Sequence, residues 1–380
     1  MAAPGMAPIA IDLEVAGATA AGATDALLSA MLRATEGVSD LIFSPGRPPQ
    51  VEIHGQLVPV HVARLPVLTA DHTRHIASDL IGNNKQAINT LREQGACDVS
   101  YSLPGQSRFR VNIFIQRGSC AIVMRVIPTD IPDFAGLGLP PSLNEIADLK
   151  HGIVLITGGV GTGKSSTTAA ILDCINRSRP YHIITIEDPI EFLHNHKLAT
   201  IHQRELHSDS PTVSLALRAA LRQSPKVIVL GEIRDRETTE IVLDAAETGH
   251  LVISSMNTPD ASKTVDRIIC TFSPSEQWSV RTRLAKTFRW IISQRLLARA
   301  DGRGRVPAIE IVKADAHTRQ WIEYGPQNGL TLLDCIKAAG QEGMQSFDDE
   351  IEKLVRAGVV DLETALNHAT NPTGLRQKLQ

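Results

Sequence analysis

The feature that most constrains the fold is a glycine-rich loop that lies between an apolar run and a helix-forming segment. From Gly158 to Ser165 the chain reads Gly-Gly-Val-Gly-Thr-Gly-Lys-Ser, which fits the pattern G-x-x-x-x-G-K-[ST]. The apolar run 153–156 precedes the loop and is typical of a buried parallel strand. Apolar residues at helical spacing follow it as far as Asn176. The order strand, loop, helix predicts an α/β domain.

A loop of this kind is suited to binding phosphate groups. Its glycines let the backbone turn several N–H groups inward, and the N-terminus of the following helix adds partial positive charge. Lys164 is expected to reach the β- and γ-phosphates, and the hydroxyl of Ser165 to ligate Mg²⁺. We therefore predict that a nucleoside triphosphate binds at Gly158, Gly159, Val160, Gly161, Thr162, Gly163, Lys164, Ser165 and Ser166.

Composition disfavours several other classes of protein. The net charge is only −3, so no large basic field is available to attract nucleic acid. The five cysteines are widely spaced and form no C-x-x-C pair, which disfavours structural zinc and indicates reduced thiols. The first 32 residues contain no Lys or Arg, and the apolar runs are far shorter than a membrane span. These features predict a cytoplasmic protein, at most peripheral to a membrane.

Changes in composition along the chain predict its division into domains. Residues 1–24 are rich in Ala, Gly, Thr and Pro and are expected to form a disordered leader. Residues 25–128 show the strand and hairpin signals of a small α+β domain. Residues 129–150 have the prolines and glycines of a linker. Residues 151–380 are expected to form the second and larger domain.

Within that larger domain, strands and helices are predicted to alternate. Tyr181–Ile186, Val227–Leu230 and Leu251–Ser255 are short apolar runs, typical of strands in a parallel α/β sheet. Beyond about Ser262 the pattern becomes mostly helical, with a long helix expected at Ser275–Arg299.

Two strand ends carry acidic residues that suit hydrolysis of a bound triphosphate. Val227–Leu230 is followed by Glu232, and a carboxylate there is suited to orient or deprotonate water. In many ATPases an Asp precedes that Glu and helps to hold Mg²⁺. Gly231 occupies this place, so the metal must be held otherwise. Glu187 and Asp188 end another apolar run, where a helix cap or a solvated turn is the alternative.

Other polar residues have both a functional and a structural interpretation. Arg218 and Arg222 lie one helical turn apart and share a face, which could grip phosphate or simply be solvated. His250 comes just before the strand Leu251–Ser255, where it could act beside a nucleotide or have a structural role.

Three segments follow the loop in a fixed order and together resemble a known superfamily. Ile186–Phe192 resembles the aspartate box, Leu230–Asp235 the Walker B segment and Ala246–Val252 the histidine box of the type II/IV secretion ATPases. Arg108–Asn112 and Gly343–Phe347 are similar to segments of the type IV pilus retraction branch, the PilT/PilU-like twitching-motility ATPases.

The likeness extends from about residue 26 to the end of the chain. It implies a PAS-like domain at 25–128 and a RecA-like P-loop ATPase domain with a helical C-terminal region. It also implies a homo-hexameric ring that uses ATP and Mg²⁺ to extract pilin at the inner-membrane base of a pilus. The implied partners are the platform protein and the pilin machinery, and no nucleic acid is expected.

The resemblance also assigns roles to individual residues. It makes Glu232 the catalytic carboxylate, Lys164 and Ser165 the phosphate and Mg²⁺ contacts, and His250 a residue that senses or supports the site. The other implied site residues are the acidic-box residues Glu187, Asp188 and Glu191, the last two beside the metal, and Arg108 and Arg125, which would reach a nucleotide across a subunit boundary.

The sequence departs from the family pattern near the end of the histidine box. Asn257 stands where the box commonly continues to a second His, so acid–base chemistry there would be lost while hydrogen bonding survives. The segment 316–322 also differs from the retraction-specific stretch. Two alternatives therefore stay open: a pilus-assembly or type II secretion ATPase, and an accessory ATP-binding paralogue with weak hydrolysis.

Overall fold

The computed structural model describes residues 9–11, 20–53, 55–63, 65–128, 130–326, 329–338 and 343–380. The chain divides into two units, Met1–Thr129 and Asp130–Gln380, each built around a seven-stranded sheet. The mixed α/β class expected from the sequence is confirmed. Among the described residues, no helix is both long and apolar enough to cross a membrane.

The first unit is a mixed sheet with helices packed against it. In chain order its elements are β1 (Ile9–Ile11), α1 (Ala20–Arg33), β2 (Val38–Phe43), β3 (Gln50–Ile53), β4 (Gln56–Val62), α2 (Ala70–Ile81), α3 (Lys85–Gln94), β5 (Ala96–Leu103), β6 (Ser107–Gln116) and β7 (Ser119–Ile127). The strand order is β1-β4-β3-β2-β7-β6-β5. β1 pairs with β4 in parallel, and the other neighbours run antiparallel.

Strand β6 shows how the sequence pattern positions the core of this unit. Phe109, Val111 and Ile113 are fully buried, whereas Arg110 between them is exposed. Ile115 was expected on the same buried face but is 45% exposed. It pairs with Cys120 next to the turn that closes the β6–β7 hairpin, where the sheet extends beyond its core.

The expected disordered leader contains two segments with defined structure. Ile9–Ile11 forms β1 and pairs with the end of β4, and α1 begins at Ala20. These segments correct the expectation of a leader disordered throughout. Residues 1–8 and 12–19 lie outside the described residues.

The second unit is a mostly parallel sheet with helices on both faces. In chain order its elements are a 3₁₀ helix (Pro141–Asp148), β8 (Gly152–Gly158), α4 (Lys164–Ser178), β9 (His182–Glu187), β10 (Thr200–Glu205), α5 (Val213–Ala220), β11 (Val227–Leu230), α6 (Arg236–Glu247), β12 (Leu251–Met256), α7 (Ala261–Cys270), α8 (Pro274–Thr287), β13 (Phe288–Ala298), β14 (Arg305–Lys313), α9 (Ala316–Tyr324), α10 (Leu332–Ala338), α11 (Phe347–Arg356), α12 (Leu362–His368) and α13 (Pro372–Leu379). The strand order is β10-β9-β11-β12-β8-β13-β14. Among these described strands, all neighbours run parallel except β13 and β14.

The burial of β8 explains its unbroken apolar run. All seven of its residues are buried, and alternate side chains enter different cores. Ile153 and Leu155 pack on one side of the sheet, and Val154 and Ile156 on the other. Because helices cover both faces, no polar face is needed. The parallel sheet predicted from the sequence is confirmed.

The second unit differs from two expectations. The expected linker 129–150 lies almost entirely within it, and its 3₁₀ helix buries Leu143 and Ile146 beside the sheet. The helix expected at Ser275–Arg299 ends at Thr287, and the chain continues as β13, the strand next to β8. β13 is buried on both faces, so its apolar residues do not alternate strictly, and periodicity alone cannot distinguish it from a helix.

Candidate functional site

A cavity of about 920 Å³ lies at the carboxyl ends of the parallel strands of the second unit. Ligands of α/β sheets bind at these carboxyl ends because the loops that follow the strands converge there. The glycine-rich loop after β8 and the acidic segments after β9 and β11 all contribute to its wall. Among the residues predicted for the site, those lining the cavity are Val160, Gly161, Thr162, Gly163, Lys164, Ser165, Ser166, Glu187, Asp188, Glu191 and Glu232.

The glycine-rich loop follows a backbone path that side chains would obstruct. Gly161 and Gly163 have φ of 74° and 89°, in the left-handed region that glycine tolerates. At Gly158 a Cβ would lie 2.5 Å from Thr162 Oγ1 and 2.7 Å from the carbonyl oxygen of Gln294. α4 begins directly after the loop, so the free N–H groups of its first turn are available to an anion.

The ammonium group of Lys164 is held by the loop itself. Its Nζ donates to the carbonyl oxygens of Gly158 at 3.0 Å and Gly159 at 2.7 Å. Burial lowers the pKa of Lys164, while the carboxylates of Glu232 and Glu191 oppose this effect. A phosphate group would offer this partly desolvated cation a stronger acceptor than the loop carbonyls.

The carboxylate of Glu232 is hydrogen-bonded at both oxygens. The Nδ2 of Asn257 donates to Oε1 at 2.8 Å, and the Nε of Arg234 donates to Oε2 at 3.0 Å. The hydroxyl of Ser255 donates to the carbonyl oxygen of Gly231 at 2.6 Å, which ties the backbone beside Glu232 to the end of β12. The Glu232 side chain is 23% exposed, against 67% for Arg234. The carboxylate is therefore fixed in the cavity wall but still accessible to water.

The acidic segment after β9 is organised by Gln203 of the neighbouring strand β10. Its Nε2 donates to Glu187 Oε1 at 3.0 Å and to the carbonyl oxygen of Phe192 at 2.9 Å. Its Oε1 accepts from the backbone N–H of His194 at 2.8 Å. One side chain thus holds three points of the segment that forms one wall of the cavity.

The three acidic-box residues differ in environment. Burial raises the pKa of Glu187, whose Oε1 also accepts a hydrogen bond from the Thr185 hydroxyl at 2.6 Å. Asp188 and Glu191 are exposed at the cavity. Over the described part of the chain, no three His, Cys, Asp or Glu side chains are grouped as metal ligands. The oxygen donors here fit Mg²⁺, which commonly uses one or two carboxylates and completes its shell with phosphate oxygens.

His250 lies at the amino ends of the parallel strands, whereas the glycine-rich loop lies at their carboxyl ends. Leu251, the residue after it, pairs with Gly152 at the start of β8. β12 has six residues, so at about 3.3 Å per residue His250 is about 20 Å from the cavity end of the strand. Its Nδ1 donates to the carbonyl oxygen of Ala245 at 3.0 Å. His250 is therefore not part of the cavity lining, and its role at the site stays a prediction; the other end of β12 brings Asn257 to the cavity.

The predicted arginines do not line this cavity. Arg108 and Arg125 belong to the first unit, where Arg125 donates to Asp40 at 3.1 Å and stays 72% exposed. Arg218 lies on α5 and Arg222 just beyond it, and neither is part of the lining. A contact of Arg108 or Arg125 with nucleotide stays a prediction.

Gln294 of β13 is a cavity residue that the sequence analysis did not identify. Its Nε2 donates to the carbonyl oxygen of Thr162 in the loop at 3.2 Å. Its Oε1 is buried and has no hydrogen-bond partner within the described residues. The segment was expected to be helical, so its pairing with β8 could not be anticipated.

Comparison with known families agrees with this arrangement. A family model described as "Type II/IV secretion system protein" matches residues 78–366. The chain belongs to this family. The family assignment covers most of the second unit and the last part of the first.

Two curated relatives are matched over most of their own length. A twitching motility protein of Neisseria gonorrhoeae is 39% identical over 85% of this chain and 84% of its own. The type IV pilus retraction ATPase PilT of Pseudomonas aeruginosa is 38% identical over 89% of this chain and 96% of its own. The resemblance inferred from the sequence motifs is confirmed.

Solved structures give the same result at the level of the fold. A crystal structure of the pilus retraction motor PilT with bound ADP superposes with a TM-score of 0.80, at 38% identity, and covers 93% of this chain and 98% of that one. The ATPase DotB of Legionella pneumophila superposes with a TM-score of 0.76 at 27% identity, over 90% and 94% of the two chains. The present chain is therefore a P-loop ATPase of this family, and its ligand is a nucleotide.

Proposed function

We propose that the chain is the ATP-driven motor of type IV pilus retraction, working as a homo-hexameric ring. The observation that carries the proposal is that the glycine-rich loop and Glu232 line one cavity. A phosphate-binding loop alone accounts for nucleotide binding, whereas hydrolysis also needs a carboxylate within reach of water. The match to retraction ATPases over nearly their whole length supports the kind of work that hydrolysis drives.

The residues of the cavity divide the chemistry among them. The loop N–H groups and Lys164 bind the polyphosphate, and Lys164 exchanges its two loop carbonyls for phosphate oxygens. Glu232 orients the attacking water and accepts its proton. Ser165 and Asp188 supply oxygen atoms that would hold Mg²⁺, and the ion would neutralise charge on the phosphates.

The proposal includes a location and partners. Such a motor acts on the cytoplasmic side of the inner membrane, at the pilus base, against the platform protein and the pilin machinery. Arg108 and Arg125 are proposed to reach the nucleotide of a neighbouring subunit in the ring. The 72% exposure of Arg125 leaves its guanidinium accessible for such a contact.

Two alternative functions remain, and the comparisons disfavour the first of them, a pilus-assembly ATPase. The pilus assembly ATPase PilB of Thermus thermophilus is 38% identical over 62% of this chain and only 27% of its own length. The second candidate is an accessory paralogue that hydrolyses ATP weakly, and it is favoured by the presence of Asn257 at the site.

The test compares wild type with Glu232→Gln, which keeps the shape and removes the base. We expect the variant to bind ADP normally and to lose ATP turnover by about 10²–10⁴-fold, the usual contribution of a general base. Light scattering of the same preparations is expected to report a hexamer. In the host, the variant gene should leave cells with excess pili and no twitching. Equal, negligible turnover by both proteins would favour the accessory paralogue.

A further inference from the structure

We propose that Asn257 is a positioning residue that holds the Glu232 carboxylate through an uncharged hydrogen-bond donor. The inference rests on the proposed function, because it concerns the base of that same reaction. It goes beyond that function in assigning a role to Asn257, one of the positions at which the sequence departs from the family pattern.

The contact itself fixes which way the amide faces. Asn257 Nδ2 lies 2.8 Å from Glu232 Oε1, and a carboxylate accepts hydrogen bonds but does not donate them. The amide must therefore present its NH₂ group to Glu232. A hydrogen bond to a charged group is shorter and stronger than one between neutral groups when it is well formed.

The backbone of Asn257 is held on both sides, so the amide is aimed before any ligand binds. On one side is β12, whose Ser255 accepts a hydrogen bond from the Ile233 N–H at 3.1 Å and donates to Gly231. On the other side the buried Thr258 hydroxyl lies 2.7 Å from that of Thr264 in α7. Asn257 follows the last residue of β12 directly, so these contacts on either side hold its backbone beside Glu232.

The two oxygens of Glu232 then have different roles. Oε1 is bound by the amide, and Oε2 contacts only the exposed Arg234 among the hydrogen bonds described. An exposed ion pair of this kind is weak and exchanges readily with water. Oε2 is therefore the oxygen that accepts the proton of the attacking water.

An amide donor also makes this arrangement independent of pH. Asn carries no titratable group, whereas an imidazole at this position would change its charge near neutral pH. The charged and titratable side chains that line the cavity together with Glu232 are Lys164, Glu187, Asp188, Glu191, His194, Arg234, Asp235 and Arg305. None of these is altered by substitution at position 257.

The test measures ATP turnover from pH 5.5 to 9 for Asn257→Ala, Asn257→Asp and Asn257→His. We expect Asn257→Ala to lower kcat about tenfold with little change in KM, which corresponds to loss of one charge-assisted hydrogen bond. Asn257→Asp should lower kcat further, since it places a like charge beside Glu232.

Asn257→His is the rescue variant. Its N–H can donate to Glu232, so kcat should recover most of the loss, with an added pH-dependent step near pH 6–7 as the imidazole titrates. All three variants should bind ADP with a Kd close to that of wild type.

Two results would overturn the inference. One is an Asn257→Ala enzyme with the kcat and pH profile of wild type. The other is an equal loss of kcat in all three variants, with no rescue by Asn257→His, which indicates a structural role. Glu232→Gln separates the two hypotheses: if it is inactive while Asn257→Ala is normal, only the present inference fails. If Glu232→Gln is active, the proposed base is wrong as well.

Discussion

Gly158 is the residue at which the glycine-rich loop leaves strand β8, and it has no room for a side chain. Its φ of +149° is rarely adopted by L-residues, and a Cβ there would approach Thr162 and Gln294 within 2.7 Å. Gly159 lies next to it, but a Cβ there would meet only Thr162 Cγ2 at 3.8 Å. Both glycines belong to the same sequence pattern. The distinction between them depends on the backbone path at Gly158, which turns a Cβ toward Thr162 of the loop and toward the Gln294 carbonyl oxygen of β13.

This difference predicts unequal effects of the same substitution. We expect Gly158→Ala to lower the free energy of unfolding by about 2 kcal/mol or more, because loop and strand must shift to make room. Gly159→Ala is expected to change it by less than about 1 kcal/mol. Urea denaturation of both variants measures the difference. Equal losses would contradict the geometry described for the loop.

At the scale of elements, position in the sheet decides what each strand contributes. β8, β11 and β12 were predicted from short apolar runs, and each proved to be a buried parallel strand. β10 is a half-exposed edge strand with mixed polarity, and it was not predicted. Its sequence lacks a strong pattern because, in the described part of the sheet, one side of the strand has no neighbour. Nevertheless it carries Gln203, which holds the acidic segment in place.

Removing that side chain should loosen the acidic segment selectively. Gln203→Ala deletes the two hydrogen bonds that the Gln203 amide donates and the one that it accepts. The Glu187 carboxylate thereby loses one of its hydrogen-bond donors. We expect hydrogen exchange at the backbone N–H of His194 to accelerate at least tenfold, since each lost bond contributes about 1 kcal/mol. His202→Ala, an exposed position on the same strand, is the matched control and should leave that exchange unchanged. Equal exchange in both variants would show that Gln203 does not order the segment.

At the scale of the whole chain, the two units have separate cores, and the second contains the entire cavity. A buried polar network joins elements that are distant in sequence within that unit. The Glu310 carboxylate on β14 accepts from the Ala261 N–H at 2.9 Å and from the Ser293 hydroxyl at 3.1 Å. Ser293 in turn accepts from Thr157, the residue before Gly158, at 3.0 Å. The network links the base of the loop to the start of α7.

Glu310 should make the stability of the fold depend on pH. Burial raises the pKa of Glu310 to about 7, above that of an unfolded Glu at about 4.3. The folded chain therefore holds this proton more tightly, so its stability falls as pH rises between these values and levels off above the upper one. Glu310→Gln is neutral throughout. We expect its stability relative to wild type to increase from pH 5 to 8, measured by urea denaturation.

The matched control is Glu276→Gln at a half-exposed position. A hydrogen bond from the Ser273 hydroxyl holds the pKa of Glu276 below its ordinary value, so this group is ionised across the whole range. The difference in free energy of unfolding between Glu276→Gln and wild type should stay constant between pH 5 and 8. If the difference in free energy of unfolding between Glu310→Gln and wild type is also constant, the buried carboxyl does not titrate between pH 5 and 8.

The sequence by itself determined the phosphate loop, the buried parallel strands and the family, because each is encoded by local spacing or by an unbroken apolar run. It also identified Glu232 and Asn257 as residues of interest. Only the tertiary structure decided which of them meet. Strand direction separates His250 from the cavity by about 20 Å and brings Asn257 to Glu232. The pairing of β13 with β8 places Gln294 under the loop, and such long-range pairing depends on the packing of both sheet faces, which no local pattern records.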